Sequence, residues 1–200
     1  MSESDRFFVD TNVLLYSLDT AASKKQEAAL LWLDALWANR VGVLSWQVLH
    51  EFYANAIRKL RVPVKPARQL VEELTRWQPV DMTPGQIRRG WHWTDRAQLS
   101  YWDGLIVAAA ERMECMWLLS EDFQAGQRFG RVTIVNPFLV TPVEFGLVND
   151  GSRKISIDGP PCYNSSRAPV AQLDRASGYE PEGRMFESCR AHHFKSIESV

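Results

Sequence analysis

Cysteine, long apolar runs and a surplus of charge of either sign are all scarce in this chain. Its 200 residues include three cysteines, of which only Cys115 lies in the apolar-rich part. A disulfide framework and a CxxC metal site are therefore excluded, and a reducing cytoplasm is the expected home. No stretch approaches the roughly 18 uncharged apolar residues of a membrane-spanning helix. Met1 to Arg6 is polar and acidic, without the apolar core of a signal peptide. A membrane is thus not an expected partner. The net charge of −1 excludes a generally basic nucleic-acid coat. If the partner is a polyanion, something else must supply the positive charge.

What is present fits a globular domain of ordinary size with an appendage: 46% of the residues are hydrophobic and 24% charged. The composition changes near Asn149. All eight tryptophans precede it, and Gly151 to Val200 is polar, rich in Ser, Arg and Gly, and without sustained periodicity. The expected organisation is one packed domain over residues 1–149 and a disordered tail over 150–200. Within the body, Lys24 to Arg40 reads as a helix with Ala28, Leu31, Trp32, Ala35 and Leu36 on one stripe. Ser45 can cap a second helix in which Leu49, Phe52, Ala56 and Leu60 recur at helical spacing. Pro66 to Trp77, Pro84 to Arg96 and Trp102 to Glu114 also read as helices. The short apolar runs Phe7 to Val9, Gly42 to Leu44, Met116 to Leu119 and Val132 to Val135 read as buried strands. Such alternation predicts an α/β fold, a doubly wound parallel sheet with helices on both faces.

Four carboxylates stand where that architecture gathers ligands. Asp10 ends the first strand, and ligands of open α/β sheets bind outside the carboxyl ends of strands. The plain structural reading is that Asp10 opens a turn or caps a helix, with Thr11 and Asn12 as turn residues. Glu51 lies near the buried face of the second helix; as a solvated charge it could instead bond Asn55 one turn on. Asp103 and Ser100 have the spacing of a capping box. Asp122 follows another strand, where a loop acid is unremarkable. Each plain reading is credible singly. Together, four acids at one sheet edge would repel each other unless cations lay between them, and a set without His or Cys favours Mg²⁺ or Mn²⁺ over zinc.

These residues carry a family resemblance. Asp-Thr-Asn after the first strand, a Ser-x-Gln-x-x-x-Glu helix start, a Tyr-x-Asp-Gly-x-Ile-x-Ala-Ala-Ala helix and a Leu-x-Ser-Glu-Asp-Phe strand end occur in that order. Over residues 6 to about 140 the chain resembles the PIN domain, and more narrowly the VapC-type toxins of bacterial toxin–antitoxin pairs. The resemblance implies that Asp10, Glu51, Asp103 and Asp122 bind one or two Mg²⁺ or Mn²⁺ ions, with Asn12 and Ser120 as polar supports. Glu121 could supply the fourth carboxylate in place of Asp122, and the further acid that many relatives place two residues on is here Gln124. The implied activity is RNA phosphodiester hydrolysis by metal-activated water, yielding a 5′-phosphate and a 3′-hydroxyl. It also implies inhibition by a small antitoxin protein, and a homodimer.

Two stretches could contact substrate: Arg58, Lys59, Arg61, Lys65 and Arg68, and the aromatic-interleaved Arg88, Arg89, Trp91, His92, Trp93 and Arg96. Either could track a phosphate backbone while a ring stacks on an unpaired base, or be a solvated helix face over buried tryptophans. His50 and His92 are assigned no catalytic role.

The tail supports a different reading. Ala168 to His193 can be back-translated into paired stems: GCTC and GAGC within Val170 to Ala176, TCGGG and CCCGA within Ser177 to Glu182, and GCATG and CATGC around TTCGAAT up to Cys189. This resembles a tRNA gene read as protein, with an ACG anticodon, and the gene's nucleotide sequence decides it. Cys162, Cys189, His192 and His193 are then no metal cluster, and the native end of the fold near Val140 to Phe145 is open to alteration. Two other functions stay open beside the toxin: a housekeeping PIN-type nuclease without antitoxin, and a catalytically decayed nucleic-acid-binding module.

Overall fold

The computed structural model describes residues 6–148. The tail beyond them, with its expected disorder, its tRNA-gene resemblance and its two cysteines and two histidines, lies outside the described residues.

Short apolar runs form the sheet. Strands β1 (Phe7–Val9), β2 (Gly42–Val43), β3 (Trp117–Leu119), β4 (Arg128–Phe129) and β5 (Val132–Val135) lie in the order β2-β1-β3-β5-β4. Strands β1, β2, β3 and β5 pair in parallel, whereas β4 runs antiparallel to β5 at the edge. The expected parallel sheet is thus present, with one antiparallel strand added at its edge. Gly130 takes φ +60° and lets the chain double back from Phe129 to Val132 as a tight hairpin. Phe7, Phe8 and Val9 are all buried, as expected of a strand covered on both faces.

Helices α1 (Thr11–Tyr16), α2 (Ser23–Asn39), α3 (Trp46–Arg58), α4 (Val64–Leu74), α5 (Pro84–Ala97) and α6 (Tyr101–Arg112) cover the sheet. Ser45, Thr83 and Ser100 cap α3, α5 and α6 by accepting from backbone N–H groups of the first turn. The six-residue α1 has too few turns to show periodicity. On α2 the inward face is Ala29, Trp32, Leu33, Ala35 and Leu36, so Trp32, Ala35 and Leu36 of the expected stripe are buried, while Leu31 is left exposed. Around Trp32 the core is aromatic: Phe7 and Phe145 pack with it, Trp117 packs on both of those rings, and the Trp32 indole N–H donates to the carbonyls of Pro137 and Val140. Among the described residues, no helix is long and apolar enough to cross a membrane.

Candidate active site

Register builds the site. Val9 pairs with Leu119, and Leu119 with Val135, so the next residues, Asp10, Ser120 and Asn136, stand at one level on the carboxyl edge of the sheet. Asp10 N–H donates to Leu119 O and Ser120 N–H to Val135 O, carrying the ladder one step further. The chain leaves β1 for β2 on one side and reaches β3 on the other, which makes the β1/β3 crevice a topological switch point. Asp10 and Ser120 face each other across it. Ser120 Oγ donates to Asp10 Oδ2 at 2.6 Å, and Asp10 Oδ1 accepts from Thr11 N–H at 2.6 Å as the N-cap of α1. The plain capping role and the site role are therefore one and the same contact.

Asp10 is only 4% exposed, and burial pushes its carboxyl up to about 7. The negative charges of Asp122 and Glu51 push the same way, against the hydrogen bonds from Ser120 and Thr11. Glu51 projects from α3 toward α1: Thr11 Oγ1 donates to its Oε2 at 2.9 Å and Gln47 Nε2 to its Oε1 at 3.0 Å. Asn55 bonds the backbone carbonyl of Glu51, not its carboxylate. Asp103, in the first turn of α6, accepts from Ser100 Oγ at 2.7 Å, and its own N–H donates back to that oxygen. Asp122 lies at the rim, where Asn12 Nδ2 donates to its Oδ2 and its N–H donates to Ser120 Oγ. Its carboxyl is held above the ordinary range by desolvation first, then by Asp103 and Glu121, while Asn12 and Lys59 pull it down.

Asp122 and Glu121, alternatives in the sequence, have different surroundings. Glu121 turns away and pairs with Lys25 of α2 at 2.6 Å, and Lys25 also reaches the Tyr16 hydroxyl at 3.0 Å and lies over the Tyr16 ring. Asp122 is the acid that feels Asp103 and meets Asn12. Gln124 is exposed. Sequence reasoning missed Thr11, Gln47 and Lys25 as partners of these acids. Thr11 was signalled by adjacency to Asp10, but nothing in the sequence points from Lys25 to Glu121.

Of the two basic stretches, the first adjoins the site, since Lys59 is close enough to favour the ionised form of Asp122. A shallow groove lined by Asn12, Leu15, Tyr16, Asp19, Lys59 and Leu60 opens there. In the second stretch Arg88, Trp91, His92 and Arg96 are exposed, and two members are tied to α6. Arg89 makes a two-pronged pair with Glu111 at 2.7 and 2.9 Å, the buried Trp93 donates to the same carboxylate, and the guanidinium lies over the Trp93 ring. For Arg89 and Trp93 these contacts favour the second of the two readings left open by the sequence, a helix face over a buried tryptophan.

Among the described residues, no three His, Cys, Asp or Glu side chains close around one point that could hold a metal ion. The acids form a chain instead, Glu51 to Asp10 to Asp122 to Asp103, coupled through their charges. This donor set fits a hard divalent cation. Mg²⁺ is held by one or two carboxylates and keeps several waters, so it does not need a closed protein cage. The carboxyls of Asp10 and Asp122 are raised by burial first, and the neighbouring acids add to the shift of each.

A parallel-dominated α/β sheet with carboxylates at its switch point defines the class of acid-centred α/β folds. The family model described as the PIN domain matches residues 7–131, well over half of the chain, and the chain belongs to the PIN-domain family. PIN domains are generally nucleases, act on nucleic acids and typically use divalent metal ions. No curated protein sequence matches the chain.

Proposed function

We propose that this PIN domain is a metal-dependent endoribonuclease of the VapC type, a cytoplasmic toxin that cleaves RNA and is held in check by a small antitoxin protein. The observation that carries the nuclease reading is the Asp10–Ser120 contact at the switch point, flanked by Glu51, Asp103 and Asp122. Asp10 and Asp103 are the first choices to hold Mg²⁺ or Mn²⁺, with Asp122 and Glu51 completing one or two sites. A bound divalent ion supplies charge neutralisation at the phosphodiester and lowers the pKa of water toward neutrality. Ser120 and Thr11 hold the Asp10 carboxylate in one orientation, Asn12 does the same for Asp122, and Gln47 for Glu51. In the reaction, water oxygen bonds to phosphorus and the bond from phosphorus to the 3′ oxygen breaks. That oxygen takes up a proton, giving a 5′-phosphate and a 3′-hydroxyl.

The toxin reading rests on the order of the four acidic motifs and, with the homodimer, on family resemblance. Its test uses the purified full chain with a mixture of structured RNAs and Mg²⁺ or Mn²⁺, beside an Asp10→Asn/Asp103→Asn variant and an EDTA control. Cleavage requiring both metal and carboxylates is expected. Its absence in folded, metal-loaded protein would move the reading to a binding-only module. A short neighbouring open reading frame whose product abolishes cleavage separates the toxin from a housekeeping nuclease.

A further inference from the structure

Four large aromatic side chains are exposed among the described residues, and three of them stand on the first turns of α3 and α6. Trp46, Tyr101 and Trp102 are 37%, 37% and 58% exposed, whereas Trp91 stands apart on α5. Trp46 opens α3, the helix that carries Glu51, and Tyr101 and Trp102 open α6 immediately before Asp103. The two first turns are tied together: Gln47 Nε2 donates to the Trp102 carbonyl at 3.3 Å as well as to Glu51. His50, one turn after Trp46, lies 6.3 Å from its ring, and Tyr101 lies 5.4 Å from Trp102. Two exposed ring pairs thus border the acids, one on each of two helices that supply them. The exposed aliphatic and methionine side chains Leu31, Val64, Met82, Met116, Leu139 and Val143 belong to other segments.

We infer that Trp46, His50, Tyr101 and Trp102 form a nucleobase-stacking subsite that seats an unpaired base of the RNA beside the acidic crevice. The inference rests on the nuclease reading and names the part of the substrate that this rim recognises. Charge decides in its favour. A rim beside Glu51 and Asp103 repels phosphates, but a neutral base presents a π-face that stacks on Trp or Tyr without any positive charge. Lys59 lies at the opposite end of α3, roughly 20 Å away at 1.5 Å rise per residue. A strand laid along the helix can therefore meet a cation at one end, the acids in the middle and the rings at the other. A base held in a duplex cannot present its face, so the subsite selects unpaired RNA. A second protein copy seated on these rings would narrow the approach to Asp103, which argues for the base over a protein partner.

The test is binding of a short single-stranded RNA carrying 2-aminopurine to the full chain in EDTA, read by fluorescence quenching, with the matching duplex as competitor. Trp102→Phe keeps a ring, and Trp102→Leu keeps apolar bulk without one. Stacking predicts that the Phe variant binds like the parent while the Leu variant, alone or with Trp46→Leu, loses roughly five- to a hundredfold in affinity and most of the quenching. Both sites are exposed, and unchanged thermal unfolding checks that the fold survives. Equal binding by the Leu variants, no quenching in the parent, or equal preference for duplex would each overturn the subsite. So would a concentration-dependent dimer that Trp102→Leu dissociates with RNA affinity unchanged, which would make the patch a protomer interface. Metal-dependent cleavage is measured on the same samples. Cleavage with Trp-independent binding sinks the subsite and leaves the nuclease, whereas Trp-dependent binding without cleavage does the reverse.

Discussion

Asp10 is a carboxylate kept where water scarcely reaches, and the protein carries that cost for the sake of the site. With its carboxyl pushed up to about 7 by burial, a neutral amide in its place relieves desolvation and repulsion from Asp122 and Glu51. Asp10→Asn should therefore abolish RNA cleavage and yet stabilise the metal-free protein, by about 1–2 kcal/mol once weaker bonding to Ser120 and Thr11 is allowed for. Thermal unfolding in EDTA at pH 8 checks it; a lower Tm would show the ionised carboxylate to be a net stabiliser. Asp34 on α2 has no such use. Its Oδ1 is buried without a hydrogen-bond partner, and desolvation raises its carboxyl to about 6. Since the folded value lies above the unfolded one, the charge destabilises the fold fully above about pH 6, and the effect fades below about pH 4. Asp34→Asn should raise stability at pH 7.5 by up to about 1 kcal/mol, discounted for partial exposure, with no gain at pH 4. Urea midpoints at the two pH values measure this. Asp10 was legible because a charge ending a buried strand is a local anomaly. Asp34 was not, because a helix acid one residue after Leu33 looks ordinary until the neighbouring elements close over it.

At the scale of elements, strands and long helices were legible where one segment carries its own signal. Phe7–Val9 and Val132–Val135 are apolar runs of strand length, and α3 announces itself by a capping Ser45 ahead of an amphipathic face. The two-residue β4 is fixed only by its pairing with β5, and no periodicity exists in two residues. The basic and aromatic run of α5 left two readings open for the same kind of reason, since Glu111, which captures Arg89 and Trp93, lies on a different helix. Those two helices pack through glycine. A Cβ on Gly104 would stand 2.7 Å from the Gly90 carbonyl oxygen and 2.9 Å from Thr94 Oγ1, so backbone must move to admit it. Gly104→Ala should cost about 1–2 kcal/mol, overpacking outweighing the better helix propensity of alanine. Because Asp103 is the adjacent residue, cleavage should also fall in protein that is still folded. A urea midpoint at or above the parent's would show that α5 and α6 can separate without strain.

Across the whole molecule, the sheet divides stability from chemistry. The family match ends at residue 131, but β5, which pairs with both β3 and β4, begins just after it, and the chain stays in the core to Leu147. Pro142–Phe145 forms a 3-10 turn closed by a Thr141/Glu144 capping box, and Asn39 donates to the Leu147 carbonyl. Phe145 packs edge-on against Phe7 and Trp117, the first residues of β1 and β3. The acids stand at the other ends of the same strands, beyond Val9 and Leu119. Phe145→Ala should thus remove about 2–3 kcal/mol, at or below the lower end for a buried aromatic because Phe145 is only partly covered. The cleavage rate per folded molecule should be unchanged, since Asp10 and Ser120 are positioned by ladder bonds to Leu119 and Val135 that the truncation leaves intact. Denaturant titration and single-turnover cleavage on the same sample separate the two effects. A rate that falls in step with stability would mean that the aromatic edge sets the geometry of the carboxyl edge through the three-residue strands between them.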